Sequence, residues 1–70
     1  METSQLENWF MHHPPTPEQS YAFDRLRSAA LHFAMQINAL VPDSADKTAA
    51  IRKVREATMT AIAAIACGGK

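Results

Sequence analysis

The longest regular pattern of apolar positions lies between the third and fourth prolines of the chain. Apolar side chains recur there at alternating intervals of three and four residues, which places them on one face of an α-helix. They are Phe23, Leu26, Ala30, Phe33, Ile37 and Leu40. The pattern predicts one helix of about 24 residues, or about 36 Å.

Both ends of this helix are marked by local signals. Thr16 offers a hydroxyl N-cap, Pro17 fits the first helical position, and Gln19 can reach back to the cap. Pro42 prevents the helix from continuing. The helix is therefore predicted over about residues 17–41.

A second helix is predicted over about residues 44–66. Its apolar positions follow the same alternation and are Ile51, Val54, Thr58, Ala61 and Ile65. Asp43 or Ser44 can cap its start, and Gly68 and Gly69 end it. Because only a few residues separate the two helices, they are expected to form an antiparallel hairpin.

A short helix is predicted ahead of the hairpin, over about residues 4–11. Ser4 precedes Glu7 by three residues, as in a capping box. The segment that follows, residues 12–16, contains the sequence HHPP, where the prolines exclude regular helix and favour extended backbone at His13 and Pro14. The fold class is thus all-α, with a short N-terminal helix and a long helical hairpin in a single domain, residues 1–70.

The last helix has more apolar surface than one partner helix can cover. Met59, Ile62 and Ala66 form its second face. A chain of this size buries only about 60% of its unfolded surface, and Cys67, its single cysteine, excludes an intrachain disulfide. Self-association into a homo-oligomer is therefore expected. The alternative is that Trp9 and Phe10 cover this face within one chain.

Charge and hydropathy exclude several classes of protein. Seven basic residues balance seven acidic ones, which argues against polymeric nucleic acid as the main partner but is compatible with a small, doubly charged ligand. There is no apolar run of membrane-spanning length and no signal-peptide pattern. The expected location is cytoplasmic, without a membrane partner.

Catalysis and metal binding find little support. Cys67 lies in a glycine-ended tail, and His12 and His13 point to opposite sides of an extended segment. A metal site would need His32 as third ligand, and a solvated histidine is the favoured interpretation there. The chain is predicted not to be an enzyme and to use no cofactor.

Among the cations, Arg27 is the strongest ligand candidate. It lies at the edge of the apolar stripe beside Phe23 and Ala30, where a partly desolvated guanidinium can bind phosphate through two hydrogen bonds. The other basic residues are interpreted as solvated. The turn at Pro42 allows two interpretations, since a helix amino end can be capped by Ser44 or can bind phosphate.

Taken together, residues 10 to 66 resemble a known family. FMHHPPTPEQ followed by RLRSAALHFAMQINALVPDSADKTAAIRKVREATMTAIAAIA is similar to the helical-hairpin module of the phage anti-CBASS cyclic-nucleotide sponges, a module also found in some anti-Thoeris sponges. The most specific pieces are the segment Phe10 to Pro15, the turn Pro42 to Lys47, and the closing helix with Met59 and its Ala-Ile-Ala run.

This resemblance implies a non-catalytic protein of the host bacterial cytoplasm. Such a protein binds cyclic oligonucleotide second messengers, mainly cyclic dinucleotides, and so blocks CBASS-type antiviral signalling. The family implies a homohexamer with ligand pockets between protomers. Relatives often end the last helix with Ala-Arg-Asn, whereas Cys67 and Gly68 stand here, so a separate cyclic trinucleotide site is doubtful.

The resemblance also implies the ligand-binding residues. These are His12, His13, Pro14, Arg27, Ser44 and Lys47. His12 stands where relatives commonly have a tyrosine that stacks on a base, and His13 and Pro14 would shape the lip of the pocket. Arg27 would contact phosphate, with Ser44 and Lys47 next in line. Thr58 points either into a ligand site or into the core, and the core is the favoured interpretation.

Three other functions remain open at this point. The protein could be a small phage interaction or regulatory protein that docks an apolar helix face on a host protein. It could be a sponge for NAD-derived Thoeris signals. A phosphodiesterase is the third, and it differs from a sponge in destroying its ligand.

Overall fold

The computed structural model describes residues 1–70 and contains three helices and no strands. They are α1 (Thr3–Phe10), α2 (Pro17–Leu40) and α3 (Ala45–Ala66). α2 packs against α3 as a helical hairpin, in agreement with the all-α prediction. The molecule measures 45 × 29 × 15 Å, so it is little thicker than one helix with its side chains.

The start of α2 is the capping box that the sequence predicts. The Thr16 hydroxyl accepts a hydrogen bond from the Gln19 amide at 3.1 Å, and the Gln19 side-chain oxygen accepts one from the Thr16 amide at 3.0 Å. The helix ends at Leu40, where the Val41 amide still donates to Ile37 O at 3.0 Å. Val41 then turns extended, because Pro42 disfavours helical dihedrals in the residue before it.

The capping box predicted at Ser4 and Glu7 is wrong. α1 begins one residue earlier than predicted, with Glu2 as its N-cap and no side-chain cap. The carbonyl of Glu2 accepts from the amides of Gln5 and Leu6, each at 3.1 Å. The first turn therefore closes ahead of Ser4, which lies inside the helix and not at its boundary.

α3 is closed at both ends by local backbone chemistry. Ser44 Oγ accepts from the Lys47 amide at 3.1 Å, so the turn serine is a cap. At the other end the Gly68 amide donates to Ile65 O and the Gly69 amide to Ala64 O, the bond pair of a Schellman motif. Gly68 and Gly69 have φ of 69° and 77°, values that favour glycine because it has no Cβ.

Side chains from the N-terminal part bind the C-terminal end of α3. The Asn8 side-chain amide donates to Cys67 O at 3.3 Å, and the Trp9 indole N–H donates to Lys70 O at 3.1 Å. The Gln19 side-chain Nε2 donates to Ile65 O at 3.3 Å. Two of these carbonyls belong to residues that follow α3, and Ile65 O also accepts from the Gly68 amide. The bonds hold α1 and the start of α2 beside the end of α3.

The single chain has no closed core, since none of its 70 residues is buried. All five α3 positions predicted to face α2 are partly covered. In the α2 stripe, however, Phe33 is 54% exposed and Leu40 is 81% exposed. A pattern that repeats every 3.5 residues drifts by about 20° per heptad on a straight helix. Phe33 and Leu40, one heptad apart, therefore rotate away from the partner, whereas Ile37 stays partly covered.

Candidate functional site

Three open apolar grooves lie on the surface of the hairpin. The first, called the arginine groove here, runs between α2 and α3 and has a volume of about 490 Å³. It is lined by Arg27, Ala30, Leu31, Ala34, Ile51, Val54, Arg55, Thr58, Met59, Ile62 and Ala63. Its lining contains no acidic residue, so its only formal charges are positive.

The second groove, called the lysine groove, also runs between α2 and α3 and has a volume of about 680 Å³. It is lined by Leu26, Ala29, Ala30, Phe33, Ile37, Ala50, Lys53, Val54, Ala57, Thr58 and Ala61. Lys53 is its only charged residue. The two grooves therefore share an apolar floor but differ in the number and kind of their cations.

The third groove, called the terminal cleft, lies between α1 and the end of α3. It is lined by Trp9, Phe10, Met59, Thr60, Ala63, Ala64, Cys67, Gly69 and Lys70, with a volume of about 550 Å³. Trp9 and Phe10 thus pack beside the second apolar face of α3. They leave it open, because Trp9 is 50%, Phe10 85% and Met59 59% exposed.

Arg27 lies in the arginine groove, as its position at the edge of the stripe predicts. Its guanidinium carbon is 5.8 Å from the centre of the Phe23 ring, within the range of a cation–π contact. The only salt bridge in the molecule joins Lys47 to Asp43, so Arg27 has no carboxylate partner. Its charge is available to an anion in the groove.

Arg55 lines the same groove, although its sequence position suggested a solvated charge. Ala30 lies ten residues before Leu40, and Arg55 lies ten residues after Ala45. Positions equally distant from the turn of an antiparallel hairpin lie at the same level, so Arg55 is level with Ala30 and less than one turn from the level of Arg27. Its place four residues after Ile51, and so beside the apolar stripe of α3, was the signal that could have found it.

The histidine and proline residues lie at the end of the hairpin remote from the turn. His12 is exposed and makes no hydrogen bond, so its ring is accessible. His13 is partly buried and its Nε2 donates to Asn8 O at 2.6 Å, which fixes the ring against the end of α1. Pro14 is exposed in the non-helical connection.

Ser44 and Lys47 lie at the turn and make local contacts. Besides capping α3, Ser44 Oγ donates to Pro42 O at 3.0 Å. The Lys47 ammonium lies 2.9 Å from Asp43 Oδ1. This hydrogen bond, with the positive charge of Lys47, lowers the pKa of Asp43 below its ordinary value of 3.8. Ser44 therefore caps α3 within a single chain, without a ligand or a second protomer.

The six candidate ligand-binding residues do not share a pocket within one chain. His12, His13 and Pro14 precede the start of α2, whereas Ser44 and Lys47 follow its end. α2 contains 24 residues, a length of about 36 Å. Arg27 lies between the two groups and is the only one of the six in the arginine groove.

Thr58 and His32 lie on the two long helices and make local side-chain contacts. Thr58 is partly buried in the hairpin seam, and its hydroxyl donates to Val54 O at 2.7 Å. It also lines the arginine groove and the lysine groove, so the preference for a core position over a ligand site stays a prediction. His32 lies beside the Gln36 amide at 3.3 Å. No group of three or more His, Cys, Asp or Glu side chains is placed to hold a metal ion.

None of the helices combines the length and the apolar character that crossing a membrane requires.

Comparison with known proteins gives one match. The family model described as Acb2/Tad1, hairpin domain, matches residues 2–66. No curated protein and no solved structure matches the chain. The family match extends from the first residues of the short helix to the last residue of α3, so it includes every element of the fold.

Proposed function

This chain belongs to the Acb2/Tad1 hairpin domain family, and from that premise we propose that it sequesters cyclic oligonucleotide second messengers, mainly cyclic dinucleotides. By hiding these signals it blocks CBASS-type antiviral signalling in the host bacterial cytoplasm. The observation that carries this proposal is the family match over residues 2–66.

The arginine groove supports a ligand of this chemistry. A cyclic dinucleotide presents two phosphates and two flat base faces, so its pocket needs a few cations and apolar or flat side chains. The groove is lined by two arginines and is otherwise mostly apolar. The accessible ring of His12, at the remote end, offers the stacking surface that the groove itself lacks.

The same ligand calls for more than one copy of the chain. His12 and Ser44 lie at opposite ends of a helix about 36 Å long, which is farther than one cyclic dinucleotide extends. A pocket that uses both groups must take them from different protomers. The absence of any buried residue in one chain supports the same conclusion, and we propose a homo-oligomer, a hexamer, with ligand pockets between protomers.

Within such a pocket each candidate has a distinct role. His12 stacks on a base, while His13 and Pro14 form a lip whose position is set by the bond from His13 to Asn8 O. Arg27 binds phosphate in bidentate fashion. Ser44 and Lys47 contribute polar contacts from the turn of a neighbouring protomer, where Lys47 exchanges its bond to Asp43 for a ligand oxygen.

The proposal is tested by native mass spectrometry of the full chain with and without 3′,3′-cyclic GMP–AMP. We expect a homo-oligomer that gains several ligands per assembly. The nucleotide released by heat denaturation should be chromatographically unchanged, because a sponge does not alter its ligand. A cleaved product would indicate a phosphodiesterase instead. A folded monomer that binds none of the cyclic dinucleotides, trinucleotides or NAD-derived cyclic signals would contradict the proposal.

Two variants test the site, with one matched control. His12→Ala and Arg27→Gln should each weaken binding by about tenfold or more, as expected for loss of one stacked base or one charge-assisted contact. His32→Ala removes an exposed histidine from α2 and should leave the Kd unchanged. Sedimentation of all three should match the parent, since no substitution removes an apolar contact between helices.

A further inference from the structure

We infer that Arg55 is a second phosphate-binding residue and that it acts together with Arg27 on one cyclic dinucleotide in the arginine groove. This inference rests on the proposed function and adds a residue to its site. The residue lies in the middle of α3, and its role follows from the way the hairpin pairs the two helices.

The hairpin places the two arginines on opposite walls of one groove. Arg27 belongs to α2 and Arg55 to α3, and both line the groove. Arg27 lies level with Thr58, so the two arginines are offset along the axis by three residues, about 4.5 Å. Packed helix axes are about 8–10 Å apart. Two flexible arms on such walls can approach a ligand between them from both sides.

The electrostatics of the groove favour a dianion. Neither arginine has a carboxylate partner, and no acidic residue lines the groove. Two other cations of the hairpin do have polar partners nearby, since Lys47 pairs with Asp43 and Arg25 donates to the Tyr21 hydroxyl. Two like charges above an apolar floor repel each other. A ligand with two phosphates offsets this repulsion, because each arginine can pair with one negatively charged phosphate.

The floor between the arginines suits the rest of the ligand. Leu31 is 62% exposed and Met59 is 59% exposed, so their apolar surface is open to a ribose or a base. Met59 also lines the terminal cleft, which makes the two surfaces continuous. The groove therefore offers charge on its walls and apolar contact below, the combination that a nucleotide diester requires.

The competing explanation is that the aliphatic arm of Arg55 only covers apolar surface while its head remains in water. That explanation predicts a change in stability on substitution but none in ligand affinity. It also predicts that lysine, which has a similar arm, replaces arginine without effect. Binding measurements on three variants separate the two explanations.

The experiment is isothermal titration of the full chain with 3′,3′-cyclic GMP–AMP. Arg55→Gln should weaken binding by about tenfold or more, and Arg55→Lys should bind with intermediate affinity because an ammonium keeps the charge but loses the bidentate fork. Arg52→Gln is the matched control. Arg52 is an exposed arginine of α3 that lines none of the three grooves, and its loss should change the Kd by less than about twofold.

The double variant Arg27→Gln with Arg55→Gln tests whether the two residues share one ligand. We expect its loss of binding energy to differ from the sum of the single losses, because groups that bind one anion are coupled. Binding by Arg55→Gln equal to that of the parent overturns the inference and leaves the proposed function intact. A parent that binds no cyclic nucleotide overturns both. A changed sedimentation coefficient for ligand-free Arg55→Gln, with an unchanged Kd, would make the groove an interface between copies and would also overturn the inference.

Discussion

At the turn of the hairpin, the side-chain hydrogen bonds of Ser44 and Lys47 join residues no more than four positions apart. At the other end, where α1 and the prolines meet the end of α3, the bonds from Asn8, Trp9 and Gln19 span 46 to 61 positions. We call these the turn end and the proline end. The side-chain hydrogen bonds of the turn end join residues that are close in sequence. Those of the proline end form only once the chain has folded back on itself.

This difference bears on how the two ends can take part in binding. The groups of the turn end have their partners before any ligand arrives, so a ligand must compete with the cap and with Asp43. At the proline end, His13 is bonded to the end of α1 while His12 remains free. The proline end therefore offers an accessible ring on a fixed support, and its order depends on contacts that single substitutions can remove.

The largest effect is expected from Trp9→Ala at the proline end. It removes the bond to Lys70 O and the half-covered indole from the terminal cleft. Because a fully buried tryptophan would cost 3–5 kcal/mol, we expect a loss of about 2 kcal/mol. Thermal unfolding followed by circular dichroism, at one fixed protomer concentration, measures it.

Hydrogen exchange of Trp9→Ala tests whether the proline end and the turn end are stabilised independently. Amides near residues 66–70 should exchange faster, and those of residues 45–48 should not change. Phe10→Ala is the control, since Phe10 lines the same cleft but is 85% exposed, and its loss should cost less. Equal acceleration at both ends would show that the two ends are not independent.

A smaller loss is expected from Gly68→Ala. Gly68 has a φ of 69°, where a side chain costs about 1–2 kcal/mol, although nothing within 4 Å would clash with the added Cβ. The cost is thus conformational and should be milder in Gly68→Asn, because asparagine tolerates left-handed backbone better than alanine. Urea unfolding of the two variants measures the difference, and equal losses would contradict this explanation.

Ser44→Ala tests the turn end. Loss of an N-cap costs about 1 kcal/mol, and exchange should accelerate at the first amides of α3 but not near residues 66–70. Ser28→Ala, in the exposed middle of α2, is the matched control and should not destabilise the protein, since alanine is the better helix former. A loss in Ser28→Ala as large as that in Ser44→Ala would exclude capping as the cause.

The smallest effect is expected from Asp43→Asn, because the carboxylate is almost fully exposed and such pairs are screened by water and salt. The pKa of Asp43 is lowered by Lys47, so its contribution is present above the ordinary value of 3.8 and is lost as the pH falls through the lower folded value. The stability difference between parent and variant should therefore be constant near neutral pH and vanish in acid. A difference that grows in acid would have the wrong sign.

Much of the fold follows from short-range chemistry. The Thr16 cap with Pro17, the stop at Pro42 and the Ser44 cap each depend on residues at most four positions away, which is why the limits of the two long helices were predictable. The start of α1 was missed because the backbone carbonyl of Glu2 closes the first turn without a side-chain cap. The capping-box pattern detects only caps that use a side chain. The exposure of Leu40 was not predicted, because a pattern of alternating three- and four-residue steps only approximates the 3.6-residue turn of the helix.

The residues of the candidate site also divide into those that the sequence predicts and those that only the tertiary structure places. The sequence by itself determined the helices, the family resemblance and Arg27 at the edge of an apolar stripe, because these depend on spacing along one helix. Only the tertiary structure decided that Arg55 lines the groove of Arg27, that His13 is held by Asn8 O, and that the six candidate residues lie at separate places. The physical reason is that helix periodicity is a property of neighbouring residues, whereas the register between two helices depends on where the chain turns and how their side chains pack.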